Sequence, residues 1–225
     1  HKAYPDLSRV CRAAGQDVPD RAFWQHMSSE LELVKTQIVV NHRINPFSPA
    51  TYLNAFYSDS EISPSNQMNV ILEREPTRAK AVCTLLNSIL FFSQFFLLKE
   101  ESTGRFINVR FYDLEQMRLY PDGKNVKELV KVFNSYADSD FPALRYQCDK
   151  NFDQRYEEFW ERQRGNNQAR LFNVLDKPIE PSEIRVDFDL AVCNAIGLDM
   201  TKKDLMELYE IIVREMIIIK GLKRD

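Results

Sequence analysis

The chain has 225 residues, of which 44% are hydrophobic and 28% are charged, so it holds enough apolar material for one large domain or two small ones. This composition excludes a disordered chain. The formal net charge of −3 at pH 7 argues against a non-specific nucleic-acid binder, because neutralising phosphates usually requires a basic balance. Any DNA-binding face must therefore be local.

Cysteine usage and the start of the chain bear on where the protein works. The four cysteines show no zinc-ligand spacing, which predicts small buried thiols, a reducing compartment and no bound metal: Cys11, Cys83, Cys148 and Cys193. The chain begins without a signal peptide, and this predicts a cytoplasmic protein. Because the first residue is not Met, we expect a fragment of a longer protein.

The first predicted strand covers residues 31–44. Its β-branched residues alternate, and every second one faces the same side: Val34, Thr36, Ile38 and Val40. The strand ends in a polar cluster formed by His42, Arg43 and Asn45. Binding groups tend to lie in loops that a rigid strand positions, so this cluster is a candidate site.

Two interpretations of this polar cluster stay open. Arg and Asn are the residue types that make bidentate contacts with guanine and adenine edges, so Arg43 and Asn45 are candidate base readers, and His42 could reach a phosphate. The alternative is a turn in which the asparagine side chains satisfy backbone groups. Only the first interpretation requires a ligand.

The next two segments predict a surface region and a strand. Residues 51–66 are rich in Ser, Asp, Asn and Tyr, which is typical of a surface loop or an edge strand. Residues 67–72 predict a short strand with one apolar face, formed by Met68, Val70 and Leu72.

The rest of the chain is organised around a long apolar helix over residues 77–98. Residues 81–98 carry no charge, and eighteen such positions are the length of a minimal membrane span. Five polar residues would make a poor lipid face, however: Thr84, Asn87, Ser88, Ser93 and Gln94. We therefore expect a single buried core helix and no membrane.

A glycine hinge at Gly104 separates this helix from a second alternating strand, residues 105–111. The apolar face of this strand is formed by Ile107, Val109 and Phe111. Three cations near the hinge are candidate phosphate contacts: Lys99, Arg105 and Arg110.

The second half of the chain predicts amphipathic helices. Apolar residues repeat at helical spacing from Val126, from Phe152, after a cap at Ser182 and after a cap at Thr201. Thr201 is followed three residues later by Asp204, a spacing typical of the capping pair at the start of a helix.

Two further features of this half concern charged residues. Asp187 and Asp189 are interpreted as the polar face of the third helix, which Gly197 ends. The window over residues 162–170 is the most basic in the chain. It is either a solvated loop or a phosphate contact.

Two stretches of the chain resemble a known family. The first reads AVCTLLNSILFFSQFF (residues 81–96), and a glycine, a strand and DLEQMRLYP (residues 113–121) follow it. The second has the pattern R-x-D-x-x-L-A-V-C-N-A-I-G-L (residues 185–198), and a capped helix with LYEII (residues 208–212) follows it. In this order they resemble the target-recognition region found after the catalytic domain in adenine-N6 DNA methyltransferases of restriction-modification systems.

The resemblance implies a function without catalysis in this chain. The family implication is that the region reads the sequence of double-stranded DNA and works beside a catalytic methyltransferase domain in the parent protein. The cofactor S-adenosylmethionine would then belong to the parent and not to this chain.

The residues themselves predict no catalytic or cofactor site. The six glycines are isolated from one another, so no Gly-rich loop can hold S-adenosylmethionine. No Cys/His pair or Gly-x-Ser-x-Gly elbow occurs, and Glu32 with Lys35 lacks the strand-end arrangement of a metal-dependent nuclease.

Together these patterns predict an α+β fold with two parts. Residues 1–122 form a mixed strand and helix target-recognition module, and residues 123–225 form a helical C-terminal subdomain. Two alternatives remain, a helical protein-interaction domain without enzymatic activity and a small nuclease. A basic groove beside Arg43 favours DNA reading, an exposed apolar face on the last helix favours a protein partner, and three carboxylates at a strand end favour the nuclease.

Overall fold

The computed structural model describes residues 35–64, 68–98, 107–109, 114, 116, 121, 123–165 and 177–221. It confirms the α+β class. The strands of the described residues are β1 Thr36–Asn41, β2 Arg43–Ile44, β3 Ala55–Ile62, β4 Met68–Ile71 and β5 Ile107–Asn108. The helices are α1 Pro76–Leu86, α2 Ile89–Leu98, α3 Val126–Tyr136, α4 Leu144–Cys148, α5 Phe152–Gly165, α6 Glu183–Ala195 and α7 Lys202–Gly221.

Strand β1 is the centre of a three-stranded antiparallel sheet with the order β3-β1-β4. Val39 lies opposite Phe56 of β3 and opposite Val70 of β4. Residues 36–40 are all buried, because neighbouring strands cover both edges and the core covers the faces. A central, fully covered strand suits the β-branched sequence of this segment.

The single strand predicted over residues 31–44 is wrong in its extent. The chain leaves the sheet after Asn41, and β2 then pairs with β5 in a separate two-stranded ribbon. The break falls at His42, whose carbonyl accepts a hydrogen bond from the Val109 N–H at 2.9 Å. Val109, which is 67 residues later in the chain than His42, therefore marks the point where the first strand ends. Residues 31–34 of the predicted strand lie outside the described residues.

The two outer strands fit the predictions in part. The segment predicted as a surface loop or an edge contains β3, which is an edge strand of the sheet. The strand predicted over residues 67–72 is present as β4. The predicted apolar face is wrong, because Asn69 is buried and Ile71 packs against the core. Met68 and Val70 are only half-buried, and Leu72, which follows the end of β4, is 69% exposed.

The single core helix predicted over residues 77–98 is also wrong, although its burial is confirmed. Two helices, α1 and α2, occupy this segment and meet at an angle of 61°. Asn87 and Ser88 lie between them, and both are buried. The bend places α1 against the sheet and leads α2 toward the C-terminal helices.

The side chain of Asn87 explains the break. Its Oδ1 accepts hydrogen bonds from the Asn54 and Ala55 N–H groups at 2.8 and 3.0 Å, and its Nδ2 donates to the Ala55 carbonyl at 2.8 Å. These bonds tie the end of α1 to the start of β3. An asparagine that satisfies strand backbone in this way competes with helix continuation. Ser88 then begins α2, since its Oγ accepts from the Phe91 N–H at 3.4 Å.

No single helix in the described part of the chain is long and apolar enough to cross a membrane, whereas the bent pair over 76–86 and 89–97 passes that test of length and composition when taken together.

The C-terminal helices form where the sequence predicts them. Gly197 ends α6 with φ of +74°, a conformation that glycine adopts without strain. Thr201 and Asp204 make reciprocal bonds at the start of α7, as a capping box does. Ser182 is the N-cap residue of α6, as predicted, but its side chain makes no cap hydrogen bond.

One apolar cluster runs through both predicted parts of the chain. Ile38 and Val40 of β1 belong to the same cluster as Phe152, Tyr156 and Met216 of the helical part. A smaller cluster joins α1, α3 and α6 through Ala81, Leu85, Leu129, Val132, Phe188 and Val192. Burial of such side chains supplies the main driving force for folding.

Three of the four cysteines are free and buried, as predicted, and Cys11 lies outside the described residues. Burial raises the pKa of Cys83 and of Cys148 to about 12, and it raises the pKa of Cys193 to about 11. These thiols are therefore protonated at neutral pH and are poor nucleophiles.

Candidate nucleic-acid interface

The strand-end region centres on the β2–β5 ribbon. Arg43 lies opposite Asn108, and Ile44 lies opposite Ile107. Both isoleucines are buried, whereas the Arg43 side chain is exposed. The ribbon thus has an apolar face toward the core and presents a guanidinium group on its outer side.

The backbone around Arg43 is held from several directions. The Val109 N–H donates to the His42 carbonyl, and the Asn69 Nδ2 donates to the Val109 carbonyl at 2.7 Å. Asn41 Nδ2 donates to the Leu53 carbonyl at 3.0 Å. Because these bonds join the ribbon to the sheet, the direction in which Arg43 leaves the surface is fixed by the fold.

Asn45 begins a turn, as its second interpretation predicts. Its Oδ1 accepts from the Phe47 N–H at 3.1 Å, and its carbonyl accepts from the Ser48 N–H at 3.1 Å. An Asn side chain that bonds the backbone two residues later is typical of such turns. This bond orients the Asn45 side chain and engages one of the two groups that an adenine edge would contact.

The segment over residues 45–52, here called the 45–52 turn, is held by helix α4. The Phe47 carbonyl accepts from the Arg145 guanidinium, the Thr51 carbonyl from the Leu144 N–H at 2.7 Å, and the Tyr52 carbonyl from Gln147 Nε2 at 2.6 Å. Arg145 and Gln147 could not be predicted from the sequence, because a five-residue helix carries no periodicity that reveals a long-range partner.

Arg145 also belongs to a half-exposed group of side chains, here called the rim cluster: Arg145, Tyr146, Asp153 and Lys220. Asp153 accepts from the Tyr146 hydroxyl at 2.5 Å, from Lys220 Nζ at 2.9 Å and from Arg145 Nε at 3.2 Å. Desolvation by burial acts to raise the pKa of Asp153, but the hydrogen bonds from Tyr146 and Lys220 outweigh it, so the pKa of this carboxyl is lowered.

Gln147 leads from the 45–52 turn to a second group, here called the buried cluster: Gln147, Arg185, Asp189 and Tyr209. Gln147 Oε1 accepts from Arg185 Nη1 at 3.0 Å. Asp189 accepts from Arg185 Nε at 2.7 Å and Nη2 at 3.2 Å, from the Tyr209 hydroxyl at 2.6 Å and from the Ile89 N–H at 2.8 Å. Both carboxylate oxygens are therefore fully engaged.

The interpretation of Asp187 and Asp189 as one polar helix face is wrong for Asp189. Asp187 is exposed, but Asp189 is 0% exposed and takes part in the buried cluster. Burial raises the pKa of Asp189, while the charge of Arg185 and the hydrogen bond from Tyr209 oppose that rise. Burial, together with the Asp189 charge, strongly raises the pKa of Tyr209, which keeps its hydroxyl a donor.

Three of the predicted DNA contacts lie outside the described residues: Lys99, Arg105 and Arg110. They remain predictions. In the basic window, Arg162 is exposed and its Nε donates to the Glu158 carbonyl at 3.1 Å, as on a solvated helix face. The rest of that window after residue 165 also lies outside the described residues.

The features that would favour the two alternatives can be examined in the described part of the chain. No group of three His, Cys, Asp or Glu side chains there could hold a metal ion. Along α7, Ile211 is the only large apolar side chain that is clearly exposed, at 48%. Single exposed apolar residues are common on protein surfaces.

The four described glycines lie at helix ends or in a turn. Gly165 and Gly221 are the last residues of helices, Gly197 follows α6, and Gly123 lies in the turn before α3. A nucleotide-type cradle needs glycines between a strand and the helix after it. None of these four positions is of that kind.

No family model, curated protein or solved structure matches this chain.

Proposed function

We propose that this chain reads the sequence of double-stranded DNA for a cytoplasmic adenine-N6 DNA methyltransferase of a restriction-modification system. The catalytic domain of the parent protein would bind S-adenosylmethionine and transfer the methyl group. The observation that carries the proposal is the exposed Arg43 guanidinium on a ribbon whose backbone is tied to the sheet. The order of the two family-like stretches supports it.

The geometry of Arg43 suits base reading. The major groove of DNA admits a two-stranded β-ribbon, and an arginine fork matches the O6 and N7 acceptors of guanine. Such a bidentate contact needs a backbone held in a fixed position. The hydrogen bonds made by the His42 carbonyl and by Asn69 Nδ2 hold the backbone of the ribbon. Asn45, two residues later, is the second candidate base reader, and His42 is a candidate phosphate contact.

The charge of the chain sets the expected strength of binding. With a net charge of −3, few phosphates are neutralised, so the chain alone should bind DNA weakly. Lys99, Arg105 and Arg110 are the proposed phosphate contacts. The catalytic domain would supply the other wall of the DNA cleft.

The test is a comparison of Arg43→Ala and Arg43→Lys in the parent protein. Duplexes selected from a random library define the preferred site, and fluorescence anisotropy compares that site with single-base variants at fixed salt. We expect both substitutions to lower the preference by roughly 1–3 kcal/mol, because Lys keeps the charge but lacks the fork. Lys127→Ala, at an exposed position on α3, is the matched control.

An unchanged site preference in folded Arg43→Ala protein would contradict the assignment of Arg43. A parent protein that selects no DNA site at all would contradict the proposed function itself.

A further inference from the structure

The 45–52 turn is attached to the helical part of the molecule in an unusual way. Three of its main-chain carbonyls, those of Phe47, Thr51 and Tyr52, accept hydrogen bonds from helix α4. Surface turns commonly leave such carbonyls to water. Here one short helix, more than 90 residues later in the chain, satisfies all three.

Arg145 is itself held on both sides. Its Nη1 donates to the Phe47 carbonyl, while Nε donates to Asp153 at 3.2 Å and Nη2 donates to the Tyr146 hydroxyl at 2.9 Å. The Phe47 ring stacks on the Phe152 ring at 6.3 Å between centroids. The turn is therefore fixed through its main chain and through a side chain.

Gln147 connects the turn to the buried cluster. Its Nε2 donates to the Tyr52 and Pro142 carbonyls at 2.6 and 2.7 Å, and its Oε1 accepts from Arg185 at 3.0 Å. Gln147 is 0% exposed, so all three hydrogen bonds of its side-chain amide are buried. A buried amide with all its groups hydrogen-bonded has one orientation. The position of the turn is therefore determined by side chains of the core.

We propose that Arg145 and Gln147 are positioning residues that set the DNA sequence preference without touching DNA. The inference rests on the proposed function. Base reading needs side chains held to about 0.5 Å, and Asn45 lies at the start of the clamped turn, two residues after Arg43. Since the Arg145 side chain is only 11% exposed, its guanidinium holds protein groups and is not available to a phosphate.

The experiment uses Arg145→Lys in the parent protein, with Arg214→Lys as the matched control. Arg214 is an exposed arginine on α7 that pairs with Glu210 at 3.8 Å. Three quantities are measured: the affinity ratio between preferred and single-base-altered duplexes, the salt dependence of affinity, and amide hydrogen exchange over residues 47–51 without DNA. Thermal melting confirms that each variant folds.

We expect Arg145→Lys to lower the affinity ratio about tenfold, the value of a bidentate base contact, because lysine cannot bond Phe47, Tyr146 and Asp153 together. Exchange in the turn should rise by about the same factor. The salt dependence should not change, since no phosphate contact is lost. Arg214→Lys should leave all three quantities unchanged. Phe47→Leu, which removes the ring stacking and keeps the main-chain bonds, should shift the ratio in the same direction by less.

Two results would overturn the inference and leave the proposed function standing: an affinity ratio that survives both Arg145→Lys and Phe47→Leu, or a flatter salt dependence that marks Arg145 as a phosphate contact. Failure of the proposed function is seen separately, because wild-type parent protein would then show no site preference.

Discussion

The rim cluster and the buried cluster use the same three side-chain types in two different surroundings. In each, an aspartate accepts from an arginine, from a tyrosine hydroxyl and from one further N–H donor. The tyrosine bonds are alike, at 2.5 Å in the rim cluster and 2.6 Å in the buried cluster. What differs is exposure, since Asp153 is 43% exposed and Asp189 is not exposed at all.

Because the two clusters share their bond geometry and differ in exposure, we expect exposure to decide how much each contributes to stability. Water can replace any donor lost by Asp153, so an exposed ion pair contributes about 0–1 kcal/mol. Asp189 has no such replacement, and a buried charge that loses its partner costs several kcal/mol. We therefore expect the buried cluster to hold α2, α6 and α7 together and the rim cluster to tune the position of the 45–52 turn.

The largest expected difference between the two clusters is in the stability lost when the carboxylate is removed. Asp189→Ala should lower the free energy of unfolding by about 3–5 kcal/mol, because it leaves the Arg185 guanidinium buried without its counter-charge. Asp153→Ala should lower it by about 0–1 kcal/mol. Urea unfolding followed by circular dichroism measures both. Losses of equal size would show that burial does not separate the two clusters.

A smaller effect is expected from the tyrosine hydroxyls. Tyr209→Phe removes one donor to a buried carboxylate, and we expect a loss of about 1.5–3 kcal/mol, as for a hydrogen bond to a charged group. Tyr146→Phe removes the matching bond in the rim cluster, where water takes its place, and should cost less than about 1 kcal/mol. The same urea titration applies. A reversed order would mean that the shorter bond matters more than its burial.

The smallest effect concerns pH. The pKa of Asp153 is lowered in the folded protein, so its contribution to stability is present above the ordinary carboxyl pKa of about 4 and is lost as the pH falls through the folded value. The difference in unfolding free energy between wild type and Asp153→Asn should therefore shrink on acidification below about pH 4. Urea midpoints at several pH values measure it, and a difference that grows with acid would contradict the direction of the shift.

Local signals in the sequence predicted a good part of this fold. Helices α3, α5 and α7, the capping box at Thr201 and the helix end at Gly197 follow from periodicity and from residues a few positions apart. These features need no knowledge of which distant segments meet.

The missed features all depend on distant partners. The break after Leu86 requires Asn87 to meet Ala55, 32 residues earlier, and Asp189 to meet Ile89, 100 residues earlier. The anchors of the 45–52 turn lie 95 and 98 residues from the carbonyls that they bind. A polar residue inside an apolar pattern shows that some partner is needed, but the pattern does not show which one.

The three buried thiols make local opening measurable by chemistry. Cys83, Cys148 and Cys193 lie in α1, α4 and α6, and with pKa values raised to about 11 or 12 they react with a disulfide reagent only when their helix opens to solvent. Once Cys11 is replaced by serine, each labelling rate reports the opening free energy of one helix. Cys148 follows Gln147 directly, so the labelling rate of Cys148 reports how often the hydrogen bond from Gln147 to the 45–52 turn breaks.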